Sequence, residues 1–304
     1  MPGKPLVTVL MSVHNDRPYL PEAVDSTLRQ SLDDFEFVVI DDASTDGSGD
    51  YLRGLTDPRV RFHRNPRNLG LTKSLNHGLM LATGRYVARM DADDVSTPDR
   101  LRRQAAFLDA NPLVGIVGCA RILVDESGKN VAHAPAAEDD LRIRWKCLLG
   151  NPFAHPAVMF RLDLLDSHRL RYDESFRTAQ DYDLWSRLLC VTRGHNLPDA
   201  LLHYRLRHGV SRIHRTDQLR NHDRIALASL RRIVPGFDVS PEEVSQLRGR
   251  FGGHSVREAD MDPTNRRWVQ KYLALLDAFV AEYGAEQGAG GLRAEVRGSL
   301  LRAA

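Results

Sequence analysis

The sequence predicts an α/β fold: a mainly parallel, Rossmann-like sheet with helices on both faces, followed by a C-terminal helical extension. Three observations carry this. Short apolar runs alternate with amphipathic segments as far as Ala110, the pattern of successive strand–helix units. One run, Phe35–Ile40, is almost continuously apolar, as a strand buried on both faces must be. From about Arg215 onward strand-like runs cease.

Taken in order, Leu6–Val13 is β-rich, and Pro18–Gln30 reads as a helix with Leu20, Val24, Thr27 and Leu28 at helical spacing. After the Phe35–Ile40 strand come a helix over Ser48–Leu55, a short strand over Val60–His63, a helix over Leu71–Ala82 and a strand over Tyr86–Met90. Pro98–Ala110 is a helix that turns Leu101, Ala105 and Leu108 inward. Beyond Leu113–Val124 the pattern is mixed: a helix over Asp139–Leu149, a strand over Ala157–Phe160, a helix over Gln180–Val191 and a strand over Leu201–Leu206. Trp268, Tyr272, Leu276, Phe279 and Tyr283 form one apolar stripe on a late helix. A boundary near 215 divides the chain into a catalytic domain, 1–215, and a helical extension, 216–304. In the extension, Arg231-Arg232 and Arg266-Arg267 fit a packed helix with solvated arginines better than a membrane-surface contact.

The 304 residues are 42% hydrophobic, enough for one large domain and an appendage. Forty-two basic residues nearly balance 40 acidic ones, so nothing demands a nucleic-acid partner. Cys119, Cys147 and Cys190 are odd in number and form no CxxC pair, which argues against a disulfide framework or zinc site and suits a reducing compartment. No signal peptide opens the chain and no apolar stretch approaches the roughly 18 residues of a membrane span. The expected location is cytoplasmic, with at most peripheral membrane association. A dinucleotide-binding GxGxxG turn is missing: His14-Asn15-Asp16-Arg17 follows the first strand, and Gly47-Ser48-Gly49 is followed by Leu52 where a third glycine belongs.

In open sheets of this kind ligands bind beyond the carboxyl ends of the strands. Three such ends carry polar clusters: Ser12-Val13-His14-Asn15, Asp41–Gly47 and Asp91-Ala92-Asp93-Asp94. Alternate carboxylates leaving a strand can turn toward one hard cation, magnesium or manganese, which commonly bridges substrate phosphates. A solvated acidic turn before Pro98 has the same look. Asp42 can accept hydrogen bonds from a base or ribose, while Ser44–Asp46 form a turn. Asp181, in Gln180-Asp181-Tyr182-Asp183-Leu184-Trp185, is either a base or a first-turn acid favoured by the helix dipole.

Leu6–Asn15, Val38–Gly47, Asn68–Leu71, Tyr86–Asp94, Pro98–Leu101 and Gln180–Trp185 occur in order at fitting intervals. Together they resemble the family 2 glycosyltransferases over roughly residues 5–212. The resemblance implies a glycosyltransferase A-type fold, a nucleotide-sugar donor, a divalent metal (manganese or magnesium) and inversion at the anomeric carbon. It implies that Ser12, Val13, His14 and Asn15 flank the nucleotide, with His14 where the family often has Tyr. Asp42 would bond the uracil of a UDP-sugar. Asp91, Ala92 and Asp93 would form the DxD contact, with Asp91 and Asp93 on the metal and Asp94 beside them. Asp181 would be the general base, with Gln180 where an acid is usual, and His155 would stand on the acceptor side. Tyr204–Ser211 is similar to a closing YRxH segment, which places Arg205 and His208 at the diphosphate, the His displaced by one residue. The acceptor would be a glycan, a lipid-linked sugar or a small molecule. Two rivals share parts of this pattern: a nucleotidyltransferase making nucleotide-sugars, which lacks here its Gly-rich basic loop, and an inactive transferase-like binding protein.

Overall fold

The computed structural model describes residues 3–136, 139–207, 215–252, 266–283 and 288–302. The strands are β1 (Val7–Val13), β2 (Phe35–Asp41), β3 (Val60–Arg64), β4 (Tyr86–Met90), β5 (Val95–Ser96), β6 (Val114–Val124), β7 (Asn130–Ala134), β8 (Met159–Arg161) and β9 (Arg193–Arg205). The helices are α1 (Leu20–Leu28), α2 (Ser48–Arg53), α3 (Leu71–Leu81), α4 (Arg100–Ala110), α5 (Asp140–Cys147), α6 (Leu162–Ser167), α7 (Gln180–Leu188), α8 (Arg215–Ile233), α9 (Pro241–Phe251), α10 (Arg266–Tyr283) and α11 (Ala289–Arg302).

Among the described residues the strands form one nine-stranded sheet, ordered β3-β2-β1-β4-β8-β6-β9-β5, with β7 paired to β6. The first four strands are parallel. The sheet then turns antiparallel where β8 joins both β4 and β6, and β6 and β9 again run parallel. The α/β fold with helices on both faces holds, continued by an antiparallel stretch. Side-chain alternation explains the two layers. Val9, Met11, Phe37, Val39, Ala88 and Met90 pack with α1 and α4 on one face. Leu10, Val38, Ile40 and Val87 pack with α3 and α7 on the other. Strands buried on both faces read as continuous apolar runs, which is why Phe35–Ile40 was legible.

β5, β7 and α6 have no counterpart in the sequence reading, and two expected segments are placed differently. β9 begins at Arg193, well before Leu201, because its pairing with β6 jumps from Leu197 to Ala200 and leaves Pro198 and Asp199 as a bulge. Pro198-Asp199 therefore has the sequence of a turn inside a strand. Near Pro156 the chain forms a 3₁₀ turn, His155–Ala157, before the short β8.

The late helices do not stand apart from the sheet. Leu141, Trp145, Leu148 and Leu149 of α5 and its C-terminal end share one core with Leu230, Leu247, Leu276, Phe279 and Leu292. The Trp145 ring lies 5.2 Å from Tyr272 and 5.4 Å from Phe279. Fully burying a side chain such as Phe279 contributes about 1.5–3 kcal/mol. The Ser240–Glu243 capping box starts α9, satisfying two backbone N–H groups reciprocally. No helix among the described residues is long and apolar enough to cross a membrane.

Candidate active site

Strand register assembles the site. Val13 pairs with Asp41, and Met11 with Met90, so the carboxyl ends of β1, β2 and β4 lie on one edge. At this edge Asp42 is only 2% exposed. Its carboxylate accepts hydrogen bonds from Asn65 Nδ2 and from the backbone N–H groups of Leu69 and Gly70, each at 2.8 Å. Gly70 has φ +88°, a left-handed conformation that side chains disfavour, and this lets its N–H reach Asp42. Asp42, expected at the uracil, thus also anchors the 65–70 loop.

His14 is exposed, and its ring is fixed by two partners. Nδ1 donates to the Asp42 carbonyl and Nε2 accepts from the Asn68 amide, both at 2.9 Å. Because a carbonyl can only accept, this pair assigns the neutral Nδ1–H tautomer. Asn15 takes φ 57° and accepts from the Thr45 N–H at 2.8 Å, tying the β1 end to the β2 turn. Ser12 and Val13 are buried, and the Val13 carbonyl accepts from Asp42 N–H at 2.8 Å.

Beside this edge Asp91, Asp93 and Asp94 offer oxygens all within 4.8 Å of one another; Ala92 between them is buried. Asp94 Oδ1 accepts from the Arg205 N–H at 2.8 Å, and its buried Oδ2 has no donor among the described residues. Burial, then the charges of Asp91 and Asp16, push Asp93 up to about 6. Burial with Asp91 and Asp93 holds Asp94 well above the usual carboxylate range. Crowded carboxylates raise one another in this way until a cation neutralises them. The donor set is all oxygen, which fits magnesium or manganese. A pH dependence follows. Asp93 holds its proton below about 6 and must release it to bind a cation. Manganese affinity measured calorimetrically is expected to rise as pH increases from about 5 to 7. A manganese affinity flat across that range would contradict this reading of the cluster.

Two arginines from the end of β9 and beyond face the acids. Arg205, expected at the diphosphate, is committed elsewhere. It donates to the Asp93 carbonyl at 2.8 Å and to Glu22 at 2.7 Å, and lies over the Tyr19 ring at 4.9 Å. Its side chain is 3% exposed. Arg207 is the more open cation, 2.5 Å from Asp16 and 3.3 Å from Asp93. His208 lies outside the described residues.

Asp181 stands in the first turn of α7, half-buried, and its Oδ2 accepts from Asn151 Nδ2 at 2.6 Å. Burial raises its pKa, partly offset by hydrogen bonds and by the Arg89 charge. No side chain caps this helix: its N-cap is Ala179 at φ 61°. Gln180 is buried beside Asp181. His155 Nε2 is hydrogen-bonded to the Tyr172 hydroxyl at 2.9 Å. Burial, then Arg89, push His155 well below its usual range, so the ring is neutral.

Arg89, the penultimate residue of β4, is 1% exposed and pairs with Asp91. Its charge acts on Asp91, Tyr172, His155 and Asp181, so one buried guanidinium links the acid cluster to the α7 carboxylate. Arg89, Asn151, Tyr172 and Asp16 were not singled out in the sequence. A lone arginine inside an otherwise buried strand was the one available signal for Arg89; the others are contacts between distant segments.

The ends of β1, β2 and β4 thus bring these polar clusters to one edge of the sheet. Residues 8–168 match the model of the family described as glycosyl transferase family 2. The chain is 36% identical over 207 residues to the putative glycosyltransferase EpsE of Bacillus subtilis, covering 66% of this chain and 73% of that one. It is 32% identical over 211 residues to the O-antigen biosynthesis glycosyltransferase WbnJ of Escherichia coli, covering 66% of this chain and 80% of that one. In fold it is similar to Staphylococcus aureus TarS 1–349 in complex with UDP-GlcNAc (TM-score 0.64, 20% identity, 91% of this chain and 81% of that one). It is also similar to the Pyrobaculum calidifontis mannosyltransferase PcManGT in complex with GDP-Man and Mn²⁺ (TM-score 0.60, 23% identity, 99% and 81%). The chain belongs to the family 2 glycosyltransferases, with the glycosyltransferase A-type fold.

Proposed function

We propose that the protein transfers a sugar from a nucleotide-sugar, a UDP-sugar, to an acceptor hydroxyl with inversion, as a step in surface polysaccharide synthesis. The observation that carries this reading is the Asp91–Asp93–Asp94 cluster on the same sheet edge as His14 and Asp42, linked through Arg89 to Asp181. WbnJ, named for O-antigen biosynthesis, and the amylovoran biosynthesis glycosyltransferase AmsE of Erwinia amylovora support the class of product.

Asp91 and Asp93 would hold a divalent cation, which when bound neutralises charge on the departing diphosphate. His14 offers an exposed neutral ring face to the base. Asp42, through its three donors, sets the loop that closes on the nucleoside. Arg207 meets the diphosphate; Arg205 holds the loop bearing Asp93 rather than the substrate. His208 remains a candidate for a diphosphate contact. Asp181 takes the proton from the acceptor hydroxyl as that oxygen attacks the anomeric carbon and the sugar–phosphate bond breaks. Its raised pKa makes it a better proton acceptor than an ordinary aspartate. Asn151 orients it, and neutral His155 and Gln180 line its acceptor side.

We also propose that catalysis is confined to residues before about 215, with the later helices as a scaffold. The test of the overall reading is donor hydrolysis. Purified protein with manganese is expected to release UDP slowly from one UDP-sugar in a panel. No release and no UDP binding with manganese present would remove the reading.

A further inference from the structure

A cavity of about 120 Å³ is lined by Asn151, Arg121, Lys146, Phe153, Ala154 and Asn196. It adjoins both halves of the site. Asn151 contacts the Asp181 carboxylate at 2.6 Å, and Ala154 precedes His155. The Arg121 guanidinium lies 5.5 Å from the Tyr204 ring, and Tyr204 is close enough to feel Asp91, Asp94 and Asp93. The cavity has room for several waters or for a group the size of a phosphate.

Its charge is unusual. Lys146 and Arg121 make no ion pair among the described residues, although most arginines around them do. Burial pulls the Lys146 ammonium below its usual pKa, and the one acid acting on it among the described residues, Glu295, is already 2.7 Å from Arg142. A partly desolvated cation with no counter-ion is unfavourable, and an anion entering the same space offsets that cost. A void that served packing alone would be apolar.

We propose that this cavity is an acceptor subsite that takes an oxyanion, a phosphate or a carboxylate carried by the acceptor next to the hydroxyl that is glycosylated. This rests on the reading of Asp181 as the base. Lys146 and Arg121, both lining the cavity, neutralise the oxyanion, and Asn151 joins the cavity to Asp181. An acidic sugar and a glycosyl phosphate share this chemistry.

The test is calorimetric binding of three probes to the full chain saturated with UDP and manganese: methyl glucoside, methyl glucuronide and glucose 1-phosphate. UDP fills the donor side, so binding reports on the remaining cleft. One anionic probe is expected to bind at least tenfold more tightly than methyl glucoside, and which one does so separates carboxylate from phosphate. Lys146→Met is expected to erase that preference and Lys146→Arg to keep it; Arg121→Gln serves as a second probe should Lys146→Met lower the melting temperature. Equal affinities, no detectable binding of either anion, or a preference surviving both Lys146→Met and Arg121→Gln would overturn the proposal. Donor hydrolysis is scored separately. A protein that keeps the anion preference but never releases UDP would retain the pocket and lose the transferase reading.

Discussion

Replacing Asp181 with Asn is expected to lower sugar transfer by about a hundred- to ten-thousand-fold, the usual loss on removing a general base. That corresponds to roughly 3–5 kcal/mol of transition-state stabilisation. The variant is nearly isosteric and keeps an oxygen that can accept from Asn151, 2.6 Å away in the native site. Asp181 is a first-turn acid rather than a side-chain cap, so its loss to folding is the helix-dipole share, about 0.3–1 kcal/mol. Melting temperature and UDP binding should therefore stay close to those of the parent while product formation collapses. The two outcomes separate a base from a helix-end charge. Transfer at near the parent rate would make the assignment wrong. Asp183 would not inherit the role, since it is buried and paired with Arg187 at 2.5 Å. His155, already neutral, would be next.

Asp93→Ala is expected to abolish the strengthening of UDP binding by manganese and to lower transfer by about a hundred- to a thousandfold, the scale of losing one charge-stabilising group at a transition state. The fold should survive it. Arg207 keeps Asp16 at 2.5 Å, and the Arg205 N–H keeps Asp94 at 2.8 Å. Removing Asp93 also takes one like charge from beside Asp94, so the apo protein should not lose stability from this change. Calorimetry of UDP with and without manganese checks the prediction. Identical affinities in the parent protein would show that the cluster holds no cation relevant to the nucleotide.

In the parallel half of the sheet β1, β2 and β4 were legible because they are buried on both faces and so carry few polar residues, whereas β3 is only half-buried. The site edge was legible for a related reason: Asp41-Asp42 and Asp91–Asp94 follow directly on apolar runs, and strand ends of a parallel sheet converge. What was not legible depends on pairings distant in sequence. The bulge at Pro198-Asp199 looks like a turn until β6 supplies its partner. Arg205 and Arg207 read alike in sequence, yet Arg205 points at Glu22 and carbonyl groups while Arg207 meets Asp16 and Asp93. Their roles divide only once Tyr19 and Glu22 of the first helical segment are brought beside β9. The stripe from Trp268 to Tyr283 announced a buried helix face, but no local pattern could say that α5 is what it covers.

That cover has an evolutionary consequence. α5 carries Trp145 into the core of the late helices and Lys146 onto the wall of the cavity beside Asn151. Substitutions in α10 or α11 that shift Trp145 by a fraction of an ångström must move its neighbour too, because a helix translates as a unit. α5 also sends Ile143 and Cys147 into the core that holds Leu10, Val38, Ile40 and Val87, so the strands of the site edge feel it through packing. A lineage could thus retune the cavity beside Asn151 through drift in helices distant from it in sequence.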